Sequence, residues 1–219
     1  MTIRRHPAGS GHLVLAAQAA GVRDPRVLEA IRATPRAEFV PAEYARIADS
    51  DQPIPITHGQ VTSQPSLSAA MVAALGLTGA EKVLEVGTGY GYQTALLARL
   101  AAQVISVEVW QDMAARAQRN LGRQGIGNVV VSVGDGSRGA PGRGPFDAII
   151  ISAAFTSVPP PLTAQLTAGG RLVQPIGPGG AEEVVLYERS DGGLARVRVL
   201  TSASFVPLYG RYGYPPSPR

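Results

Sequence analysis

The segment Lys82-Val-Leu-Glu-Val-Gly-Thr-Gly-Tyr-Gly-Tyr92 runs from an aliphatic strand through a loop with glycine at every second position into a helical stretch, Tyr92-Gln-Thr-Ala-Leu-Leu-Ala98. A chain that turns from strand to helix in so few residues needs positive φ, which glycine adopts freely, and leaves the first N–H groups of the helix unpaired. Such a turn belongs at the carboxyl end of a parallel strand, where open α/β sheets bind ligands and a helix N-terminus attracts negative charge. Tight turns also use glycine for geometry alone, so the spacing matters more than the composition. The dinucleotide fingerprint is G-x-G-x-x-G. Here Gly87, Gly89 and Gly91 form G-x-G-x-G, position 92 is tyrosine, and an acid, Glu85, precedes the first glycine by two residues.

Beyond the loop the chain has the rhythm of a doubly wound sheet. Short aliphatic runs at 82–86, 104–108, 129–133, 146–151 and 171–175 are expected strands, and helices are expected at 91–101, 111–121 and 160–166. The stretch 134–145 is rich in glycine and arginine and reads as loop or a short helix. Two more strands, 182–189 and 194–202, flank Asp191-Gly-Gly193, a hairpin turn sequence that makes the end of the sheet antiparallel. The first 80 residues differ. Leu13 to Ala20 reads as a helix, Asp24-Pro25 supplies an N-cap and first-turn proline for a second helix to Ala33, and a third runs from Ser66 to Leu75 before Gly76. Between them Pro53 to Pro65 holds three prolines and should be extended loop. The expected fold is therefore α/β, a Rossmann-like doubly wound and mostly parallel sheet with an antiparallel C-terminal hairpin. An N-terminal helical cap and substrate loop (1–80), a ligand-binding core (81–209) and a flexible tail (210–219) are the expected divisions.

Composition narrows the chemistry. With 219 residues, 45% of them hydrophobic, the chain can enclose one sizeable core. It has no cysteine, so thiol nucleophiles and thiolate metal sites are excluded, and His6, His12 and His58 lack ligand spacing; no metal is expected. The net charge is +4 and the pI about 9.8, but every basic residue except Lys82 is arginine, scattered among alanine, glycine and proline. Scattered cations do not make a phosphate-binding face, so no nucleic-acid partner is expected. Arg4-Arg5 precedes the apolar Leu13 to Ala17, a stretch too short for a signal peptide, and no segment reaches the length of a membrane span. No membrane partner is expected, and a cytoplasmic setting is the default.

Two further acids fall at ligand-binding positions. Glu108 ends the second strand of the core, 23 residues after Glu85, close to the roughly 20-residue offset at which a carboxylate meets ribose hydroxyls. Asp135, within Gly134-Asp-Gly136, follows the third strand beside the same crevice. The pattern E-x-G-x-G-x-G resembles the cofactor loop of class I methyltransferases that use S-adenosyl-L-methionine (SAM) and release S-adenosyl-L-homocysteine. That resemblance implies a cofactor site made of Glu85, Gly87, Thr88, Gly89, Gly91, Glu108, Asp135 and Gly136, with the neighbourhood of Glu85 on the methionine part and Asp135 accepting from the adenine amino group.

Five further segments occur in family order: Arg36-Ala-Glu-Phe-Val-Pro41, Gly59-Gln-Val-Thr-Ser-Gln-Pro65, Phe146-Asp-Ala-Ile-Ile150, Leu166-Thr-Ala-Gly-Gly-Arg-Leu-Val173 and Phe205-Val-Pro-Leu208. Together they resemble the protein-L-isoaspartate O-methyltransferases from Arg26 to Leu208. The resemblance implies that Ser63 is catalytic and that Thr62, Gln64, Val206, Pro207 and Leu208 meet a peptide bearing an isoaspartyl residue. Its free carboxylate would be methylated, and loss of methanol through a succinimide would begin repair to aspartate. Val61-Thr62 stands where that family has Thr-Ile, and Ser66 where a larger residue is usual. These departures leave open a specialised enzyme acting on normal aspartate of a dedicated peptide. A nucleic-acid methyltransferase and a SAM-binding module without turnover also stay open. Against the former, Ser152-Ala-Ala-Phe155 lacks the two prolines common after the fourth strand of enzymes acting on exocyclic amines.

Overall fold

The structure, a computed structural model, describes residues 10–215; Arg4-Arg5, His6 and the last four residues of the tail lie outside the described residues. Three helices come first: α1 (Ser10–Ala19), α2 (Pro25–Arg32) and α3 (Pro65–Ala74). The expected cap of α2 is present, with Asp24 accepting from the Arg26 amide at 2.8 Å. Helix α3 has no cap of its own at Gln64 and borrows one, since Asp51 accepts from the Ser66 amide at 2.8 Å. Between α2 and α3 the proline-rich segment is largely extended. It also forms a two-residue antiparallel ladder, β1 (Ile54–Pro55) against β2 (Val61–Thr62), a pairing too short for any hydrophobic period to signal.

From Lys82 the expected alternation is present: β3 (Lys82–Val86), α4 (Tyr92–Ala98), β4 (Gln103–Glu108), α5 (Gln111–Arg123), β5 (Val129–Val133), β6 (Phe146–Ile151), α6 (Pro160–Gln165), β7 (Leu166–Ile176), β8 (Glu182–Ser190) and β9 (Gly193–Ala203). The seven long strands form one sheet in the order β5-β4-β3-β6-β7-β8-β9, parallel through β7 and antiparallel at β8 and β9. The order reverses between β3 and β6, so the crevice at the carboxyl ends of β3, β4 and β6 is the topological switch point.

Side-chain alternation assigns the two faces. Along β6, Ala148 and Ile150 join the cluster under α1 to α4, whereas Ile149 and Ile151 join Leu162 of α6 and Leu208 on the other side. Helices α1, α2 and α3 thus share a continuous apolar core with the sheet. Residues 210–214, expected within a free tail, instead fold back. Gly210 donates to the Tyr214 carbonyl, and the amides of Arg211 and Tyr212 donate to Asp135 and to the Ser137 hydroxyl.

At the switch point the β5–β6 connection presses on the end of β3, where a Cβ added to Gly136 would lie 2.4 Å from Val86 Cγ1. Gly136→Ala is expected to destabilise the protein by about 1–3 kcal/mol through overpacking. Thermal unfolding checks this, and adding Val86→Ala should recover part of the loss.

Candidate active site

The glycine loop is built on a buried carboxylate. By alternation the Glu85 side chain points to the face shared with Val83, under α4, where an apolar residue is the usual choice. It is fully buried and satisfied by neutral donors: Thr94 Oγ1 at 2.5 Å and Ser106 Oγ at 2.6 Å on one oxygen, Gln93 Nε2 at 3.1 Å on the other. Ser106 is its register partner on β4. The Thr88 hydroxyl lies 2.6 Å from Ser106 Oγ, and Gln93 Nε2 also donates to Ser152 Oγ at 2.8 Å, just beyond β6. One acid thereby joins β3, β4, α4 and the loop after β6. Burial pushes its pKa up to about 7 against the opposing bonds from Ser106, Thr94 and Gln93.

Above this floor the loop takes its form from glycine. Gly87 and Gly91 have φ of 94° and 95°, and a Cβ on Gly91 would touch Ala117 of α5 at 3.4 Å. The Gly89 amide donates to Glu108 Oε2 at 2.8 Å and the Trp110 amide to Oε1 at 3.1 Å. Burial raises the Glu108 pKa, and the amides of Gly89, Trp110 and Val109 oppose the rise. The carboxylate is nearly buried yet lines a cleft.

That cleft gathers most of the residues singled out in the sequence. Thr62, Ser63, Gly87, Thr88, Gly89, Glu108, Gly136, Val206, Pro207 and Leu208 all line it. Segment 206–208 is held there by backbone bonds, Ala154 N–H to the Val206 carbonyl at 2.8 Å and Leu208 N–H to the Ala154 carbonyl at 2.7 Å. The Ser63 hydroxyl has no bonded partner among the described residues.

Four residues depart from expectation. Glu85 lies beneath the cleft and acts on it through Gln93 and Thr88. Gly91 sits behind the loop as the N-cap of α4, packed toward α5. Asp135 is not among the residues lining this cleft: Oδ1 accepts from the Ser137 amide and hydroxyl and Oδ2 from the Arg211 amide, so the carboxylate expected at the adenine edge also staples the C-terminal turn. Gln64, expected at the substrate, donates to Asp51 at 2.8 Å and to Ser66 at 3.0 Å.

Other cleft residues carried no signal in the sequence. Gln93 lines the cleft with its buried Oε1 unpaired among the described residues. Trp110 stacks on His58 at 4.0 Å between centroids, and His58 Nε2 lies 2.8 Å from Asp112 Oδ1, joining the 57–59 turn to the start of α5 across the rim. Only the position of Trp110, two residues after the strand-terminal acid, could have drawn attention to it.

The profile of the family described as Protein-L-isoaspartate(D-aspartate) O-methyltransferase (PCMT) matches residues 9–213. A protein named protein-L-isoaspartate O-methyltransferase from Anaeromyxobacter dehalogenans (strain 2CP-C) is 51% identical over 190 residues, 86% of this chain and 91% of that one. One of the same name from Methanoculleus marisnigri is 46% identical over 197 residues, 90% and 89% of the two chains. Among solved structures, one named protein-L-isoaspartate O-methyltransferase superposes with a TM-score of 0.81 at 29% identity, covering 93% of this chain and 67% of that one. A Plasmodium falciparum chain described as a beta-aspartate methyltransferase in complex with S-adenosyl-L-homocysteine shares the fold, with a TM-score of 0.76 at 22% identity over 92% and 98% of the chains. Among the described residues, no helix is long and apolar enough to cross a membrane.

The raised pKa of Glu85 has a thermodynamic consequence. Between the ordinary glutamate value near 4.5 and about 7 the folded state retains a proton that the unfolded state has lost. The contribution of this group to stability is therefore fully present below about 4.5 and is lost as pH rises through about 7. Urea unfolding across this range should show wild type losing stability relative to Glu85→Gln as pH rises; parallel pH profiles would contradict the assignment.

Proposed function

This chain belongs to the protein-L-isoaspartate(D-aspartate) O-methyltransferase family, and we propose how its cleft performs the family's reaction. It is a SAM-dependent protein carboxyl methyltransferase that methylates the free carboxylate of L-isoaspartyl residues, the step that initiates their repair. The observation that carries the residue assignment is the convergence on one cleft of the glycine loop, Glu108, Ser63 and the segment Val206 to Leu208.

The chemistry of the cleft suits the cofactor. In our reading, Glu108 receives the ribose hydroxyls, since the backbone amides it accepts leave carboxylate lone pairs for the cleft. Gln93 Oε1, buried and unpaired among the described residues, is the acceptor for the ammonium group of the methionine part. Gly87, Thr88, Gly89 and Gly136 supply walls close to the backbone; a Cβ on Gly87 would already meet Ser152 at 3.4 Å. When bound, SAM supplies a methyl group made electrophilic by its sulfonium.

The protein needs no general base. A substrate carboxylate, with an ordinary pKa near 4, is ionised at neutral pH and is itself the nucleophile. What remains is to hold it in line with the methyl, and orientation of this kind accounts for as much as about 7–11 kcal/mol of a barrier. We assign the orienting hydrogen bond to the Ser63 hydroxyl, and the support of the substrate chain to Thr62 and Val206 to Leu208. We place the enzyme in the cytoplasm. No observation favours an aspartyl-peptide substrate, a nucleic-acid substrate or a non-catalytic role.

Two substitutions separate the roles. Ser63→Ala should cut methyl transfer from labelled SAM to an isoaspartyl peptide by about ten- to a hundredfold, the worth of one hydrogen bond to a charged group, while SAM affinity stays at the wild-type level. Unchanged turnover would remove Ser63 from the mechanism. Glu108→Ala should weaken SAM binding in calorimetry by at least about tenfold. Wild-type affinity there would displace the ribose assignment.

A further inference from the structure

Arg36 lies in the short 3-10 turn Arg36–Phe39, and its side chain is wholly buried behind the Ser63 loop. Among the described residues its guanidinium donates only to neutral acceptors: the carbonyls of Ala48 at 3.1 Å, Ser50 at 3.1 Å, Gln52 at 2.9 Å and Ser63 at 3.2 Å, and Thr62 Oγ1 at 2.7 Å. Asp49 and Asp51 act on it at a distance without bonding it, and Asp51 already accepts from Gln64 and Ser66. Burial lowers the Arg36 pKa only to about 10, so it is a cation at neutral pH. An interior cation with no bonded carboxylate is an expensive way to join two loops.

Its bond to Thr62 indicates a further use. Guanidinium has donors and no acceptor, so in the 2.7 Å contact Thr62 Oγ1 must be the acceptor. The Thr62 proton remains available, and among the described residues no acceptor takes it. Thr62 also lines the cleft beside Ser63. A hydroxyl that accepts from a cation in a poorly screened interior is polarised toward donation. We propose that Thr62 is a specificity-determining residue whose hydroxyl, oriented and polarised by the positioning residue Arg36, gives the substrate carboxylate a second hydrogen bond beside that of Ser63. The pair then favours an anion over a neutral group of the same shape. It holds the carboxylate before transfer and loosens when the carboxylate becomes a methyl ester, which aids product release. The proposal rests on the assignment of this cleft to carboxyl methylation.

The test is steady-state kinetics on an isoaspartyl peptide, with the matching isoasparaginyl peptide, a neutral amide, as competitive inhibitor. Thr62→Val keeps the shape of the side chain and leaves the Arg36 nitrogen its carbonyl acceptors. It should raise KM for the isoaspartyl peptide about tenfold while KM for SAM stays at its wild-type value and Ki for the isoasparaginyl peptide rises much less, because a neutral amide oxygen accepts the weaker bond. Thr62→Ala should show the same split, and Thr62→Ser should restore the peptide KM. An unchanged peptide KM in both hydroxyl-less variants overturns the proposal, and so does a parallel rise in the isoasparaginyl Ki or the SAM KM, which marks a general loss of loop order. Failure of wild type to methylate the peptide at all would instead remove the site assignment on which the proposal rests.

Discussion

The buried carboxylate of Glu85 is the interaction on which the rest of the site depends. At its strand position an apolar side chain would satisfy packing, yet an acid sits there with no bonded cation, held by Ser106, Thr94 and Gln93. These three side-chain hydrogen bonds are directional, so they fix the first turn of α4 against β3 and β4. The glycine loop between these elements then has little freedom. Thr88 is tied to the same network through Ser106, and Gln93 carries it across to Ser152. The cost of burying the charge is visible in the raised pKa, and rigidity at the cleft floor is what that cost secures.

Arg36 has the corresponding place on the opposite wall. Also buried, and with both terminal nitrogens bonded to neutral groups, it joins residues 48–52 to Thr62 and Ser63, as Glu85 joins β3, β4, α4 and the loop after β6. On the reading proposed above, the cofactor wall is organised around a buried acid and the substrate wall around a buried cation. This division suits a reaction between a sulfonium donor and a carboxylate acceptor. The protein contributes placement and charge, and the reactants contribute the reactivity.

The sheet was legible in the sequence because parallel strands buried on both faces leave continuous aliphatic runs, as in Ala148 to Ile151, and because glycine spacing marks the turn after β3. The place of Glu108 on the cleft followed from its offset after the glycine loop. What escaped were facts about direction and distance across the chain. Asp135 and Gln64 occupy the expected positions, but their side chains are claimed by Arg211 and by Asp51, partners 76 and 13 residues away. Arg36 read as part of a recurring segment, and nothing local indicated that its guanidinium would reach 26 residues forward to Thr62. The turn at 210–214 looked free because the groups that bind it, Asp135 and Ser137, lie more than 70 residues back along the chain.

The most direct test of isoaspartyl methylation offers the protein methyl-labelled SAM with two peptides of identical sequence, one joined through an isoaspartyl linkage and one through a normal aspartyl linkage, and measures base-labile methanol. Label is expected to accumulate on the isoaspartyl peptide and to stay near background on its aspartyl counterpart. Equal or greater labelling of the aspartyl peptide would contradict the assignment.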